Sequence, residues 1–449
     1  MLNQNEKKLR NKIIKLSEIY FQNFLSKNND ISTYIPVTQK KISKKDISNI
    51  IESALDGWFT SGRFVKKFEV EIAKFLNLKR NALFVNSGSS ANLIAMTSLC
   101  QTSMMEELNL KPITKHSEVI TVAAGFPTTV LPIIQNNLTP VFVDVDINNI
   151  NITLKSLKKA LNKKTKAVMV AHTLGNPFRA DLISDFCKEN NLYLIEDTCD
   201  AFGAQIKNED TFKSAGTYGD FATLSFYPAH HITSGEGGSV LTNSPKLRRV
   251  AASIRDWGRH CWCDSGKDNT CKKRFNWNFE NLPNGYDHKY VYSSAGYNLK
   301  ATEFQASLGL SQIENLNEFI KKRRENWSIY NEIFKNNKIL LKYFETVVPT
   351  ENTKPSWFGF GLSCKKDFRN QLTQYLEKNG VGTRLLFAGN ITKQPFFKKV
   401  NYKIQEELNN TDYLSERFFW LGVHPNINKN HINKICELIE NFIKKYVLK

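Results

Sequence analysis

Nowhere in its 449 residues does the chain carry an uncharged apolar run long enough to cross a bilayer. The nearest approach, Val119 to Ile134, is broken by Gly125, Pro127 and three threonines. Met1 to Leu16 alternates polar and charged residues without the apolar stretch of a signal peptide, so a cytoplasmic protein with no membrane partner is expected. Cysteine is too sparse for a disulfide scaffold: eight in a chain of this length are expected as reduced thiols, metal ligands or core residues. No internal repeat, low-complexity segment or nucleic-acid module motif is visible. Acid is short as well, 43 Asp and Glu against 62 Lys and Arg, for a formal net charge of +19. With no such module, nucleic acid is not the expected partner. A phosphorylated small substrate and a merely solvated lysine-rich surface both remain compatible with the charge.

What is present has the balance of a globular chain, 41% hydrophobic and 23% charged. Residues 1–50 read as a charged helical lead-in. From about residue 80, short apolar runs alternate with helical pieces. Seven strands are expected at Leu83–Val85, Val119–Val122, Val141–Val143, Ala167–Ala171, Leu192–Ile195, Ala222–Ser225 and Ser239–Leu241. Helices are expected near Ser90–Leu99, Leu154–Leu161, Leu182–Glu189 and Lys246–Ile254. That alternation predicts an α/β fold with a mostly parallel sheet covered on both faces. Residues 256–297 are aromatic and weakly periodic and read as a long excursion. Beyond residue 310 a smaller α/β domain is expected, with strands near Phe358–Leu362 and Gly382–Leu386 and a closing amphipathic helix, Asn430–Tyr446. The expected division is thus 1–50, 51–310 and 311–449.

Four groups of residues carry chemistry. Val85-Asn86-Ser87-Gly88-Ser89-Ser90-Ala91 runs from a strand through a glycine turn into a helix, where free amides and hydroxyls suit a phosphate, or where Ser simply caps the helix. Glu196-Asp197-Thr198-Cys199-Asp200 ends another strand; its acid suits a ring nitrogen such as that of a pyridoxal group, and equally a helix cap. The third, Ser225-Phe226-Tyr227-Pro228-Ala229-His230-His231, precedes Gly235-Glu236-Gly237-Gly238. The fourth is a thiol set: Cys261-x-Cys263, seven residues, Cys271, with Cys199 two residues after Asp197. Four thiolates suit zinc or an iron–sulfur cluster, and spacing alone favours zinc or no metal at all.

The third group resembles the DegT/StrS type of sugar aminotransferases and dehydratases, which use pyridoxal phosphate on nucleotide-linked keto sugars. There a lysine of the Ser-Phe motif forms a Schiff base with the cofactor. Here that position is His230, and no lysine occurs between Lys213 and Lys246. Imidazole cannot make that bond, but it moves protons near neutrality. The substitution marks the 3-dehydrase branch, which uses pyridoxamine phosphate. Trp58–Arg63, Phe68-Glu69, Gly296–Glu303 and Gly382–Asn390 extend the resemblance over most of the chain.

The resemblance implies an aspartate-aminotransferase-like fold (PLP fold type I) with a seven-stranded large-domain sheet. It implies Gly88, Ser89 and Ser225 at the phosphate, Phe126 over the ring, Asp197 at the ring nitrogen and Asp200 near the 3′-oxygen. His230 is then the base, Arg384 a substrate residue, and Asn298 a residue entering a second subunit's site in a homodimer. The thiol set resembles the 2Fe–2S ligands of an iron–sulfur subset, fed by an NADH-dependent flavin or iron–sulfur reductase. The 61-residue gap from Cys199 to Cys261 is longer than expected, which places an insertion around Asn208–Ser214. The implied reaction is 3-dehydration of a nucleotide-linked 4-keto-6-deoxyhexose, with CDP as nucleotide, toward 3,6-dideoxyhexoses of surface lipopolysaccharide. Two alternatives stay open: a cluster-free dehydratase releasing ammonia, and a non-catalytic sensor, for whose DNA-binding domain residues 1–50 are too short.

Overall fold

The computed structural model describes residues 3–26, 31 and 33–448. Part of the expected helical lead-in therefore lies outside the described residues; the rest contains the helix Gln4–Tyr20 and the start of the helix Lys44–Leu55. Fourteen strands follow in chain order among the described residues: β1 (Leu83–Val85), β2 (Glu118–Val122), β3 (Thr139–Val143), β4 (Thr165–Ala171), β5 (Tyr193–Asp197), β6 (Gln205–Asn208) and β7 (Thr211–Ser214). The others are β8 (Phe221–Ser225), β9 (Gly238–Leu241), β10 (Phe344–Thr346), β11 (Thr353–Lys354), β12 (Gly359–Cys364), β13 (Lys403–Ile404) and β14 (Phe418–Gly422).

The large sheet has the order β1-β9-β8-β5-β4-β2-β3-β13. All seven expected strands are in it. The eighth, β13, is a two-residue edge strand lying parallel to β3 and contributed from beyond residue 400. Every pairing from β8 across to β13 is parallel, whereas β9 runs antiparallel to both of its neighbours. Strands β1, β2, β3, β8 and β9 are buried throughout, which is why they read as continuous apolar runs rather than alternating ones. Parallel connectivity brings the carboxyl ends of β5 and β8 to one edge, where Asp197 and Ser225 stand.

Several elements depart from the reading of the sequence. The insertion expected around Asn208–Ser214 is a hairpin, β6 and β7, to which β11 adds a third strand. A second small sheet has the order β10-β12-β14. The strand expected at Gly382–Leu386 does not form. One isolated bridge joins Arg384 to Trp420, after which Phe387 takes a left-handed φ of 46° and the chain turns away. The closing helix is Lys429–Phe442, continued by a π turn, Ile443–Val447. Among the described residues, no helix is long and apolar enough to cross a membrane.

Gly175 is required by geometry. Its φ is +82°, and a Cβ there would stand 1.9 Å from the carbonyl oxygen of Ser356. Glu303 joins two stretches far apart in sequence: its carboxylate accepts the backbone N–H groups of Gly62 (2.7 Å), Phe64 (2.8 Å) and Val65 (2.9 Å). This caps the helix Arg63–Leu76, whose preceding residue, Gly62, brings no side-chain cap of its own. Glu303→Ala orphans those donors and is expected to cost about 3 kcal/mol, read as a fall in denaturant midpoint at unchanged m-value.

Candidate active site

Above the carboxyl ends of β5 and β8 lies a cleft of about 990 Å³. Gly88, Ser89, Phe126, Asp197, Cys199, Asp200, Ser225, His230 and Arg384 all line it. One wall is the start of the helix Gly88–Leu99, capped by the Ser87 hydroxyl, which accepts the N–H of Ser90 at 3.0 Å. Gly88 is pressed against β8: a Cβ there would lie 2.5 Å from the Cβ of Ser225. Helix N-terminus, bare glycine and two hydroxyls therefore surround one anion-sized space.

Asp197 is fixed rather than free. Its Oδ2 accepts hydrogen bonds from Asn92 (2.8 Å) and from the Thr129 hydroxyl (2.7 Å), and its Oδ1 accepts the N–H of Cys199 at 3.2 Å. Asn92 is itself set by Thr223, whose hydroxyl donates to its Oδ1 at 2.6 Å. Neither Asn92 nor Thr129 was legible in the sequence, because they meet Asp197 from other helices. Phe126, half exposed at 52%, caps the helix Pro127–Gln135 and meets the ring of Phe387 edge-on at 5.9 Å. It lines the cleft, where an aromatic side chain suits a flat ring.

His230 stands in the wall with Nδ1 3.4 Å from Oδ1 of Asp200. Asp200 thus pairs with the imidazole, a contact the sequence did not suggest. Burial pushes the Asp200 carboxyl up, against the pull of His230. The carbonyl of His230 accepts from Lys40 and, at 3.4 Å, from Arg323. Burial, with Arg323 nearby, depresses the Lys40 ammonium well below its ordinary value. His231 faces elsewhere, its Nε2 2.9 Å from the carbonyl oxygen of Ser356, and burial disfavours its charged form. Asn298 is exposed and does not line the cleft of its own chain.

Glu196, next to Asp197, does not line the cleft and instead ties β5 to the turn that precedes β8. It is fully buried, takes His172 Nε2 at 3.0 Å, and accepts the N–H groups of Gly216, Tyr218 and Gly219 at 2.7–2.9 Å. Burial would raise its carboxyl, but His172 and these amides outweigh it and hold it below the usual range. A depressed folded-state value stabilises the fold above the unfolded carboxylate value, about 4.3, and that stability is lost as pH falls through the folded value. Glu196→Gln is therefore expected to flatten the acid limb of the melting-temperature profile below about pH 4.3.

The thiol set does not assemble as expected. Cys199 remains in the cleft, where burial and then the carboxylates of Asp197 and Asp200 push its thiol well up. Cys261, Cys263 and Cys271 gather instead in the excursion with a residue the sequence did not flag, His288. The ligand atoms of Cys261, Cys271 and His288 all lie within 4.8 Å of one another. Despite burial, hydrogen bonds from Thr270 and around Cys271 bring the Cys263 thiol down to about 7. Cys199 and the other three thiols line different spaces, the cleft and a small void in the excursion. The cofactor residues, by contrast, fit an aromatic phosphate.

Residues 40–440 match the model of the DegT/DnrJ/EryC1/StrS aminotransferase family. The chain belongs to that family. It is 44% identical over 439 residues to the Salmonella typhimurium lipopolysaccharide biosynthesis protein RfbH, covering 97% of this chain and 98% of that one. It is 46% identical over 417 residues to the dTDP-4-dehydro-2,6-dideoxy-D-glucose 3-dehydratase of Saccharopolyspora spinosa, covering 92% and 87%. Among solved structures, an Escherichia coli GDP-4-keto-6-deoxy-D-mannose-3-dehydratase with bound hydrated PLP superposes with a TM-score of 0.77 at 29% identity, covering 90% of this chain and 99% of that one. The aspartate-aminotransferase-like architecture is therefore the fold of this family member.

Proposed function

We propose that this DegT/DnrJ/EryC1/StrS family member catalyses the pyridoxamine-phosphate-dependent 3-dehydration of a nucleotide-linked 4-keto-6-deoxyhexose. One observation carries the reading: an Asp200-paired imidazole occupies the cleft wall in a segment that has no lysine, beside a phosphate cradle and a fixed carboxylate. Lys40 is spent on the carbonyl of His230 and is not among the cleft-lining residues. The 3-dehydratases among the relatives lend support.

When bound, the cofactor would supply an amine for the sugar's ketone and a ring that takes up electrons as a neighbouring proton leaves. Gly88, Ser89 and Ser225 would hold its phosphate. Asp197, oriented by Asn92 and Thr129, would keep the ring nitrogen protonated. Phe126 would stack on the ring face. His230, with Asp200 3.4 Å from its Nδ1, would serve as the base for the proton on the 4′ carbon. The same proton is then available to the departing 3-hydroxyl, which leaves as water. Arg384, exposed at the rim of the cleft, would face the diphosphate. Asn298, outside its own site, would complete the phosphate site of a second copy in a homodimer.

The test is direct. Protein loaded with pyridoxamine phosphate is incubated with a nucleotide 4-keto-6-deoxyhexose, and the products are identified by mass spectrometry. Loss of the 3-oxygen from the sugar is expected; a 4-amino sugar with its 3-hydroxyl intact would instead be transamination. CDP is the expected nucleotide, although the relatives above are named for dTDP and GDP sugars, so competition among CDP, dTDP and GDP identifies the base.

A further inference from the structure

Residues 33–43 form no helix, and no strand beyond an isolated bridge of Ile35 with Val381, yet they are held at almost every step. The N–H of Ile35 bonds the carbonyl of Gly380 at 2.8 Å, and its carbonyl takes the N–H of Gly382 at 2.9 Å. The carbonyl oxygen of Pro36 lies 2.9 Å from Nε2 of His424. Val37 is pressed onto the end of β14, where a Cβ on Gly422 would stand 2.5 Å from the Val37 carbonyl oxygen. Asn426 then donates to Oε1 of Gln39 (3.0 Å) and to the carbonyl of Lys40 (3.3 Å). These partners all come from the last part of the chain. Residues 35–40 are thus a strap laid along that part. It passes Thr38 at the cleft wall and ends with the Lys40 ammonium on the carbonyl of His230.

The place of Lys40 is unusual for a lysine. Its stem is ordered and its ammonium is withdrawn from water, and among the described residues it pairs with no carboxylate. The charge that acts on it is Arg323, a second cation, and burial together with Arg323 holds the ammonium well below its ordinary value. In return it makes one hydrogen bond, to a carbonyl that Arg323 already reaches at 3.4 Å. Stability alone does not favour that arrangement.

Its consequence for His230 is specific. The imidazole has Asp200 3.4 Å from Nδ1 and the ring of Phe358 at 5.2 Å. Arg323 also donates to the carbonyls of Trp357 and Phe358, each at 3.3 Å, so it fixes that wall and the His230 backbone together. Lys40 adds the tie to the strap. It does not line the cleft, so it acts through His230.

We propose that Lys40 is a positioning residue for His230, an assignment that rests on the proposed role of His230 as the base. Through the carbonyl it fixes where the imidazole stands, and the strap links that position to the cleft wall carrying Arg384, Leu385 and Trp420.

The experiment joins kinetics to a direct view of the imidazole in the full-length protein. Lys40→Met keeps the apolar stem and removes the donor. With pyridoxamine phosphate loaded and a nucleotide 4-keto-6-deoxyhexose supplied, the single-turnover rate of 3-oxygen loss is expected to fall about 10- to 100-fold, while the half-saturating sugar concentration and the cofactor affinity stay within about 3-fold of wild type. Pyridoxamine phosphate deuterated at the 4′ carbon is expected to show a larger isotope effect in the variant, because proton transfer has slowed relative to the other steps. Apart from any turnover, protein labelled with ¹⁵N-histidine is expected to show the His230 ring signal, assigned by its loss in His230→Asn, displaced in Lys40→Met. Asn426→Ala leaves Lys40 in place but frees its end of the strap, which guards against a Lys40→Met chain that does not fold. It is expected to displace the same signal with a smaller loss of rate. Lys41→Met, which removes the exposed Lys41–Glu318 pair, is expected to change neither.

A His230 signal unmoved in both Lys40→Met and Asn426→Ala overturns the assignment whatever the reaction. So does a displaced signal at unchanged rate, or a loss confined to sugar affinity. A wild type that leaves the 3-oxygen on the sugar while the signal still moves overturns the reading of His230 as the base, and the role of Lys40 with it.

Discussion

His230→Asn lowers the rate of 3-dehydration by at least about 100-fold while leaving pyridoxamine phosphate bound, the loss expected when a positioned base is removed. The reason lies in how the imidazole is held. The Asp200 carboxylate lies 3.4 Å from Nδ1, and the backbone carbonyl is anchored by Lys40 and Arg323. Asn preserves polarity but cannot carry a proton from one atom to another. None of the phosphate, ring-nitrogen or stacking positions includes residue 230, so cofactor affinity, read by fluorescence or by absorbance titration, is expected to stay within a few-fold of wild type. A single-turnover measurement separates the two readouts. Near-normal turnover would remove His230 from its proposed role.

Asp197→Asn is expected to be as damaging by a different route. The amide keeps the shape of the side chain and can still accept from Thr129 and Asn92, so the fold is expected to persist. What is lost is the negative charge opposite the ring nitrogen. Electrostatic partners aimed at developing charge are worth roughly 10²- to 10³-fold in rate, and a drop of that size in turnover is the expected outcome. The absorbance of the bound coenzyme is expected to shift as the ring nitrogen loses its proton. A variant with unchanged spectrum and unchanged rate would place Asp197 away from that nitrogen.

Strand burial explains how much of the site was legible. Asp197 and Ser225 sit at the ends of strands whose burial on both faces makes them visible as apolar runs, so strand and end residue are found together. The seven large-sheet strands were legible for the same reason. The hairpin β6 and β7 was not: Lys207, Asn208 and Thr211–Lys213 are exposed, so no apolar pattern marks it. β14 was missed although Phe418–Gly422 is buried throughout.

Side-chain partnerships were the least legible level. Asn92 and Thr129 meet Asp197 across 105 and 68 residues of chain, and nothing local in either stretch announces it. The thiols show the same limit. Cys261, Cys263 and Cys271 are near in sequence and near in space, whereas the fourth expected member, Cys199, is carried into the cleft by β5. His288 joins the thiols through the Arg274–Asp287 pair, which no cysteine spacing encodes.

The central claim is that a coenzyme lies in this cleft without a covalent anchor, beside His230. Borohydride reduction of the pyridoxal-phosphate-loaded protein, followed by intact and peptide mass spectrometry, tests it most directly. The account predicts a chain of unmodified mass from the wild type and a reduced adduct at residue 230 in His230→Lys. A stoichiometric adduct on any lysine of the wild-type chain, Lys40 included, would contradict it.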